Sequence, residues 1–440
     1  MRAEDREILR LAVPAFLALV SEPLFLLADS AIVGHLGTTE LAGLGIAGAV
    51  LTTLISLCVF LAYGTTASVA RSIGAGDRTG ALTQGLHGVW LAVLIGAATT
   101  VVGLGATTLL VGLFDPSPAV AHQAETYLRI ALVGSIPLLV LLATTGILRG
   151  LQDTRTPLVV AVAGNAVNVA LNLLLVYGLG MGIAGSALGT VIAQTGSAAA
   201  LLLVVSRAAR RTGVGLRPSL TGIRGAGRAG VPLLLRTVTL RASLLLMTFG
   251  ATALGSTDLA AMQVALTIWT FLAFSLDAIA IAAQALTGRY LGAGDRAGTR
   301  TVTGRMLRWG LGSGVVTGLL LAGVAPFVGG LFTDDAGVID LLVPMLLVAA
   351  LAQPVAGVVF VLDGVLIGAG DGPYLARVGL LVLVVFAPAA WWAVAVAGSV
   401  TWLWVAFAVA FMGGRAVVLL TRERTDAWMT LGSSSAGSVG

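Results

Sequence analysis

Apolar runs of about twenty residues or more recur along the whole chain, separated by short loops that carry most of its arginines. As a helix, such a run crosses about 30 Å of hydrocarbon with its backbone polar groups satisfied internally. The pattern therefore predicts an all-α polytopic membrane protein. The composition, 58% hydrophobic and 10% charged with 58 glycines, excludes a soluble enzyme and suits closely packed helices.

We place twelve spans, at about 8–34, 40–70, 82–114, 119–149, 157–178, 182–206, 229–253, 258–291, 300–332, 337–368, 373–397 and 399–421. All basic residues are arginine. On this count Arg2, Arg6, Arg10, Arg71, Arg78, Arg149, Arg155, the groups from Arg207 to Arg228 and from Arg289 to Arg308, and Arg377, Arg415, Arg422 and Arg424 share one face; Arg129, Arg236 and Arg241 do not. The positive-inside rule puts that face and both termini in the cytoplasm of a plasma (inner) membrane, and makes the arginines topology signals rather than a nucleic-acid surface. Glu4, Asp5 and Glu7 lead straight into the first span with no cleavage pattern, so that span is expected to be retained.

The chain is also internally duplicated. An offset of 218 carries Pro14 to Pro232, LGTTELAGLGIA from Leu36 to LGSTDLAAMQVA from Leu254, IGAGDRTG from Ile73 to LGAGDRAG from Leu291, and Asp153 to Asp371. This divides the chain into a six-helix N-terminal lobe (1–205), a cytoplasmic linker (206–228), a six-helix C-terminal lobe (229–421) and a disordered cytoplasmic tail (422–440). Six is even, so the lobes are expected to share an orientation and to be related by a pseudo-twofold axis along the membrane normal. The GAGRAG at Gly225 matches GxGxxG, but no strand precedes it and nucleotide binding is not expected.

A carboxylate at membrane depth must face protein or a water-filled cavity, which makes Asp29 the first candidate functional residue. Glu22, seven residues earlier, lies on nearly the same helical face, and Pro14 and Pro23 can each kink that span. Asn165, Asn168 and Asn172, at i, i+3 and i+7, share a face of the fifth span, while the sixth brings Thr190, Gln194 and Thr195. Counted from the neighbouring loops, Asp29, Asn172 and Thr190 lie at similar depth, so one polar cluster is expected in preference to separate helix–helix hydrogen bonds.

The second half differs, because Asp29 plus 218 is Met247. Its intramembrane charges are Arg236, Arg241, Asp277 and Asp363, for which a structural or gating ion pair is the simpler reading and a second cation site the alternative. Arg236 and Arg241 lie about 140° apart on a helix and are not expected to share a partner.

LADSAIVGHLG in the first span, the paired GAGD loops, GILRGLQDTRTP after the fourth span, and NAVNVALNLLLVYGLGMGIAGSALGTVIAQ through the fifth and sixth resemble the multidrug and toxic compound extrusion (MATE) family. LDGVLIGAGD from Leu362 is similar to its DNA-damage-inducible (DinF) branch. The resemblance runs from about Leu9 to Leu420. It implies two lobes around a cavity and export of cationic or amphiphilic small molecules against inflow of H+ or Na+. It also matches Asp29, Asn168 and Thr190 to the family's ion site. Asn172 stands where many relatives carry Asp, leaving one acid. Its amide oxygen could still help Asp29, Asn168 and Thr190 ligate Na+, but a lone carboxylate among apolar neighbours suits H+, which we favour.

Cys58 is expected to be a buried structural thiol, and the tryptophans interfacial anchors or packing residues. His35, His87 and His122 lack ligand spacing, and no catalytic, cofactor or metal motif occurs. The expected function is an ion-coupled multidrug antiporter acting as a monomer among membrane lipids. The alternative is a lipid-linked oligosaccharide flippase of the same superfamily.

Overall fold

The computed structural model describes residues 3–432, and they are helical with no strand among them. The helices are α1 (Ala3–Gly34), α2 (Thr38–Cys58), α3 (Phe60–Gly74), α4 (Arg78–Gly112), α5 (Pro118–Val133), α6 (Ser135–Gly150), α7 (Arg155–Leu173), α8 (Ile183–Arg211), α9 (Leu220–Leu254), α10 (Ser256–Gly292), α11 (Arg296–Val328), α12 (Ala336–Gly368), α13 (Gly372–Ala395), α14 (Val400–Ala406) and α15 (Gly414–Arg424). A π-turn, Leu174–Gly178, follows α7, and a π-segment, Phe407–Gly413, joins α14 to α15. Among the described residues eleven helices are long and apolar enough to cross a membrane; α5 and α6, bent by 50° at Gly134, make a twelfth if they form one span.

The duplicated GAGD loops have a common local cause. Gly76 and Gly294 take left-handed φ of 76° and 73°, which glycine adopts without the penalty of a Cβ. Asp77 then caps α4 by accepting from the Gly80 N–H at 2.7 Å, and Asp295 caps α11 through Gly298 at 2.7 Å.

The chain forms two compact units, Leu17–Gly230 and Met1–Phe16 with Val231–Gly440. Both boundaries fall inside helices, in α1 beyond Pro14 and in α9 before Pro232, and not in the expected linker. That linker is largely helical as well, since α8 runs to Arg211 and α9 begins at Leu220. In the N-terminal unit α3, α4 and α8 pack on α6, α2 packs on α5, and α7 on α8. In the C-terminal unit α10 and α11 both pack on α12, and α11 crosses it where Gly310 faces Gly357 so closely that a Cβ on either would strike the other's backbone.

The expected disordered tail needs correcting up to Gly432. Asp426 pairs with Arg296 and Arg300, Trp428 and Met429 are buried, and the Gly432 N–H donates to the Leu291 carbonyl at 3.1 Å. The Trp428 indole and the Met429 side chain supply the apolar area that holds the segment down. Residues 433–440 lie outside the described residues. At the other end, Asp5 accepts from Arg305 through both oxygens at 2.5 Å and from Trp309 Nε1 at 2.9 Å, and Glu7 pairs with Arg289 at 2.7 Å.

Candidate functional site

Four helices of the N-terminal unit bring the polar cluster together. Asp29 on α1 is 3% exposed, and its Oδ1 accepts from Asn172 Nδ2 of α7 at 2.7 Å and from Ser186 Oγ of α8 at 2.6 Å. Asn168, one turn before Asn172, exchanges hydrogen bonds of 3.3 and 3.4 Å with the Thr190 hydroxyl. Tyr127 of α5 is also buried and lines the same pocket as Thr190. The i, i+4 spacing of Asn168 and Asn172 on α7 matches that of Ser186 and Thr190 on α8, so the two helices meet along a polar seam. Among the described residues, the Asn172 Oδ1 is buried without a hydrogen-bond partner.

Chemically, this is a carboxylate removed from water and held by neutral donors. Hydrogen bonds to a charged group are worth about 1.5–3 kcal/mol each, offsetting part of the desolvation of an ionised acid without neutralising it. Such a group can take up a proton or a small cation and release it again. Beside it lies a pocket lined by the polar Tyr127, Thr190 and Gln194 together with Leu51, Leu54 and Cys58. Cys58 is thus half-buried and pocket-lining, not a core thiol as expected. Among the described residues no group of His, Cys, Asp and Glu could hold a metal ion.

Asn165 is also on the shared face, but its amide bonds the Ser21 carbonyl and hydroxyl at 3.1 and 3.3 Å, below the cluster. Glu22 is exposed and outside it, although it shares the helical face of Asp29: at that level α7 meets the adjacent Ser21. Thr195 is exposed and bonds back to the Val191 carbonyl. Ser186 was not anticipated, because a serine in a Gly- and Ala-rich helix has the signature of a packing residue.

In the C-terminal unit, Asp363 of α12 is buried and its Oδ2 accepts from Arg236 of α9 at 2.6 Å, as pairing predicts. The same oxygen accepts from Arg415 of α15, which the sequence assigned to the cytoplasmic face. Arg415 is itself buried, with its guanidinium 5.6 Å from the centre of the Phe411 ring. Arg241 is exposed and Asp277 half-buried. Next to it, Trp269, Trp404, Phe386, Phe407 and Phe411 form a continuous aromatic cluster with centroid spacings of 5.0 to 6.2 Å. Trp269 and Trp404 are therefore packing residues, whereas Trp391, Trp392 and Trp402 are exposed.

Comparison with known proteins agrees with this architecture. The MatE family model matches residues 14–174 and again 232–392, two segments separated by the offset of 218. Protein DETOXIFICATION 44, chloroplastic, of Arabidopsis thaliana is 34% identical over 83% of this chain and 72% of its own. DNA damage-inducible protein F of Escherichia coli is 32% identical over 67% of this chain and 65% of its own. In fold, a MOP superfamily transporter from Pyrococcus furiosus superposes with a TM-score of 0.88 at 23% identity, over 97% of this chain and 96% of that one. With both halves matched and relatives above 30% identity, the chain belongs to the MatE family of multidrug and toxic compound extrusion transporters.

Proposed function

We propose that the protein is an H+-coupled antiporter that exports cationic or amphiphilic small molecules by alternating access, with Asp29 as the coupling group. The observation that carries this reading is a single buried carboxylate held only by neutral hydrogen-bond donors. Protonation removes its charge and weakens its hold on a cation. A ligand shifts a conformational equilibrium only through its differential affinity, so the exported cation must bind better when Asp29 is ionised. Proton and cargo then exclude one another, the condition for exchange without leak. Asn168, Asn172 and Thr190 complete the coupling site, and the pocket edged by Gln194 takes the apolar part of the cargo. The setting is a plasma membrane with both termini cytoplasmic and the protein a monomer.

Coupling to Na+ is the second reading, favoured by the buried Asn172 Oδ1 that no donor satisfies, since a hard cation takes such oxygens as ligands. Everted vesicles loaded by an imposed pH or Na+ gradient distinguish the two with a panel of cationic dyes. Dye transport is expected under a pH gradient for the parent protein and abolished in Asp29→Asn, with the variant still folded. Parental transport by that variant would place coupling elsewhere.

A further inference from the structure

The C-terminal end of α1 contains an acceptor that its own helix leaves open. There the His35 N–H bonds the Ala31 carbonyl and the Leu36 N–H skips back only three residues to Val33, so the Ile32 carbonyl receives no helical N–H. The donor comes from another helix: the Tyr177 hydroxyl donates to the Ile32 carbonyl at 2.5 Å. Unsatisfied terminal carbonyls are where a foreign donor fixes a helix end.

Tyr177 reaches it because of the π-turn. In a regular α-helix, residues five apart point about 140° away from one another, so Tyr177 would face away from the side on which Asn172 meets α1. The bond from the Leu179 N–H to the Leu174 carbonyl, spanning five residues, widens the turn and brings Tyr177 round to α1. Asn172 and Tyr177 then hold α1 at two points three residues apart, Asp29 and Ile32. Tyr177 is 47% exposed, so burial of its ring is not what fixes it there.

We infer that Tyr177 is a positioning residue for Asp29: the π-turn Leu174–Gly178 presents its hydroxyl to the Ile32 carbonyl, and this clamp keeps the Asp29 carboxylate in register with Asn172 and Ser186. The inference rests on Asp29 as the coupling group for its consequence in transport, but not for its geometry. The groups at Asp29 are Asn172 from α7 and Ser186 from α8, with the Tyr127 phenol of α5 near by; His35, on the same helix as Asp29, is bonded to the Ala31 carbonyl. None of them is altered by Tyr177→Phe.

The test measures the rate at which a hydrophobic carbodiimide modifies Asp29, together with the pH of half-maximal dye efflux, in the parent, Tyr177→Phe, Asn172→Ala and the double variant. Tyr177→Phe is expected to change the labelling rate by about threefold to tenfold, the span of one hydrogen bond, and to displace the pH profile while thermal stability stays near parental. Because both residues hold one segment, the double variant should fall short of the product of the single effects. Unchanged labelling and pH profile in Tyr177→Phe, or strictly multiplicative effects, would overturn the clamp and leave Tyr177 an interfacial side chain. If efflux survives Asp29→Asn, coupling at Asp29 fails, while the labelling rates still decide whether Tyr177 positions that carboxylate.

Discussion

The two halves of this chain are copies at a constant offset, yet equivalent positions hold opposite chemistry. In the first half Asp29, Tyr127, Asn168 and Asn172 are buried, with Asn172 bonded to Asp29 and Asn168 to Thr190. Adding 218 to each gives Met247, Met345, Phe386 and Ala390, all buried and all apolar. Phe386 there stacks into the aromatic cluster with Phe407 and Phe411. The second half places its buried charge elsewhere, at Arg236, Asp363 and Arg415, whose counterparts 218 residues earlier are Ala18, Thr145 and Ser197. The helical frame thus accepts either filling at a given place, and neither polar group is fully satisfied: among the described residues the Asn172 Oδ1 and the Asp363 Oδ1 are buried without a hydrogen-bond partner. The difference also assigns roles: one charge among neutral donors can change its protonation or ion, whereas an acid between two guanidiniums already has its counter-charges in place.

That contrast can be broken at several points. Asp363→Leu leaves Arg236 and Arg415 buried beside each other and is expected to cost about 3–5 kcal/mol, seen as a large fall in thermal midpoint. Combining it with Arg236→Met should be milder than the sum of the single losses; additive losses would show that the three do not act as one group. Ser186→Ala removes one of the two bonds to Asp29 and should cost about 1.5–3 kcal/mol, with a reduced rate of pH-driven efflux. If stability and efflux are both unchanged, Ser186 is a packing residue. The smallest change in stability is expected for Asn172→Asp. It puts a second carboxylate at hydrogen-bond distance from the first, and the pair cannot remain doubly ionised without another cation. Efflux should then acquire a different pH dependence or a response to Na+, and identical titrations for parent and variant would count against Asp29 and Asn172 forming one site.

Much of the N-terminal cluster was legible because helical spacing is a local property. Asn168 and Asn172 on one face and an acid at matching depth follow from 1.5 Å and 100° per residue, with no knowledge of neighbours, whereas Asn165 on that face bonds Ser21 instead. Glu22 shows where that reasoning ends. Seven residues put it on the face of Asp29, but which residue of that face meets α7 depends on the line along which the helices cross, and that line passes Ser21.

The sequence by itself determined the polytopic helical class, the duplication, the GAGD turns with their capping acids, and the asymmetry between Asp29 and Met247. Each follows from composition, period or a short-range rule that operates within one helix or turn. Only the tertiary structure decided that Arg415 leaves the basic face to share Asp363, that Ser186 is a ligand-like donor, and that Trp428 anchors the segment after Arg424. It also decided that α1 and α9 pass from one compact unit to the other beside their equivalent prolines. In a chain this apolar, an arginine near a helix end, a serine among glycines and a lone indole each have two low-cost environments. The choice between them is made by whichever helix packs alongside, a contact set by residues distant in the chain.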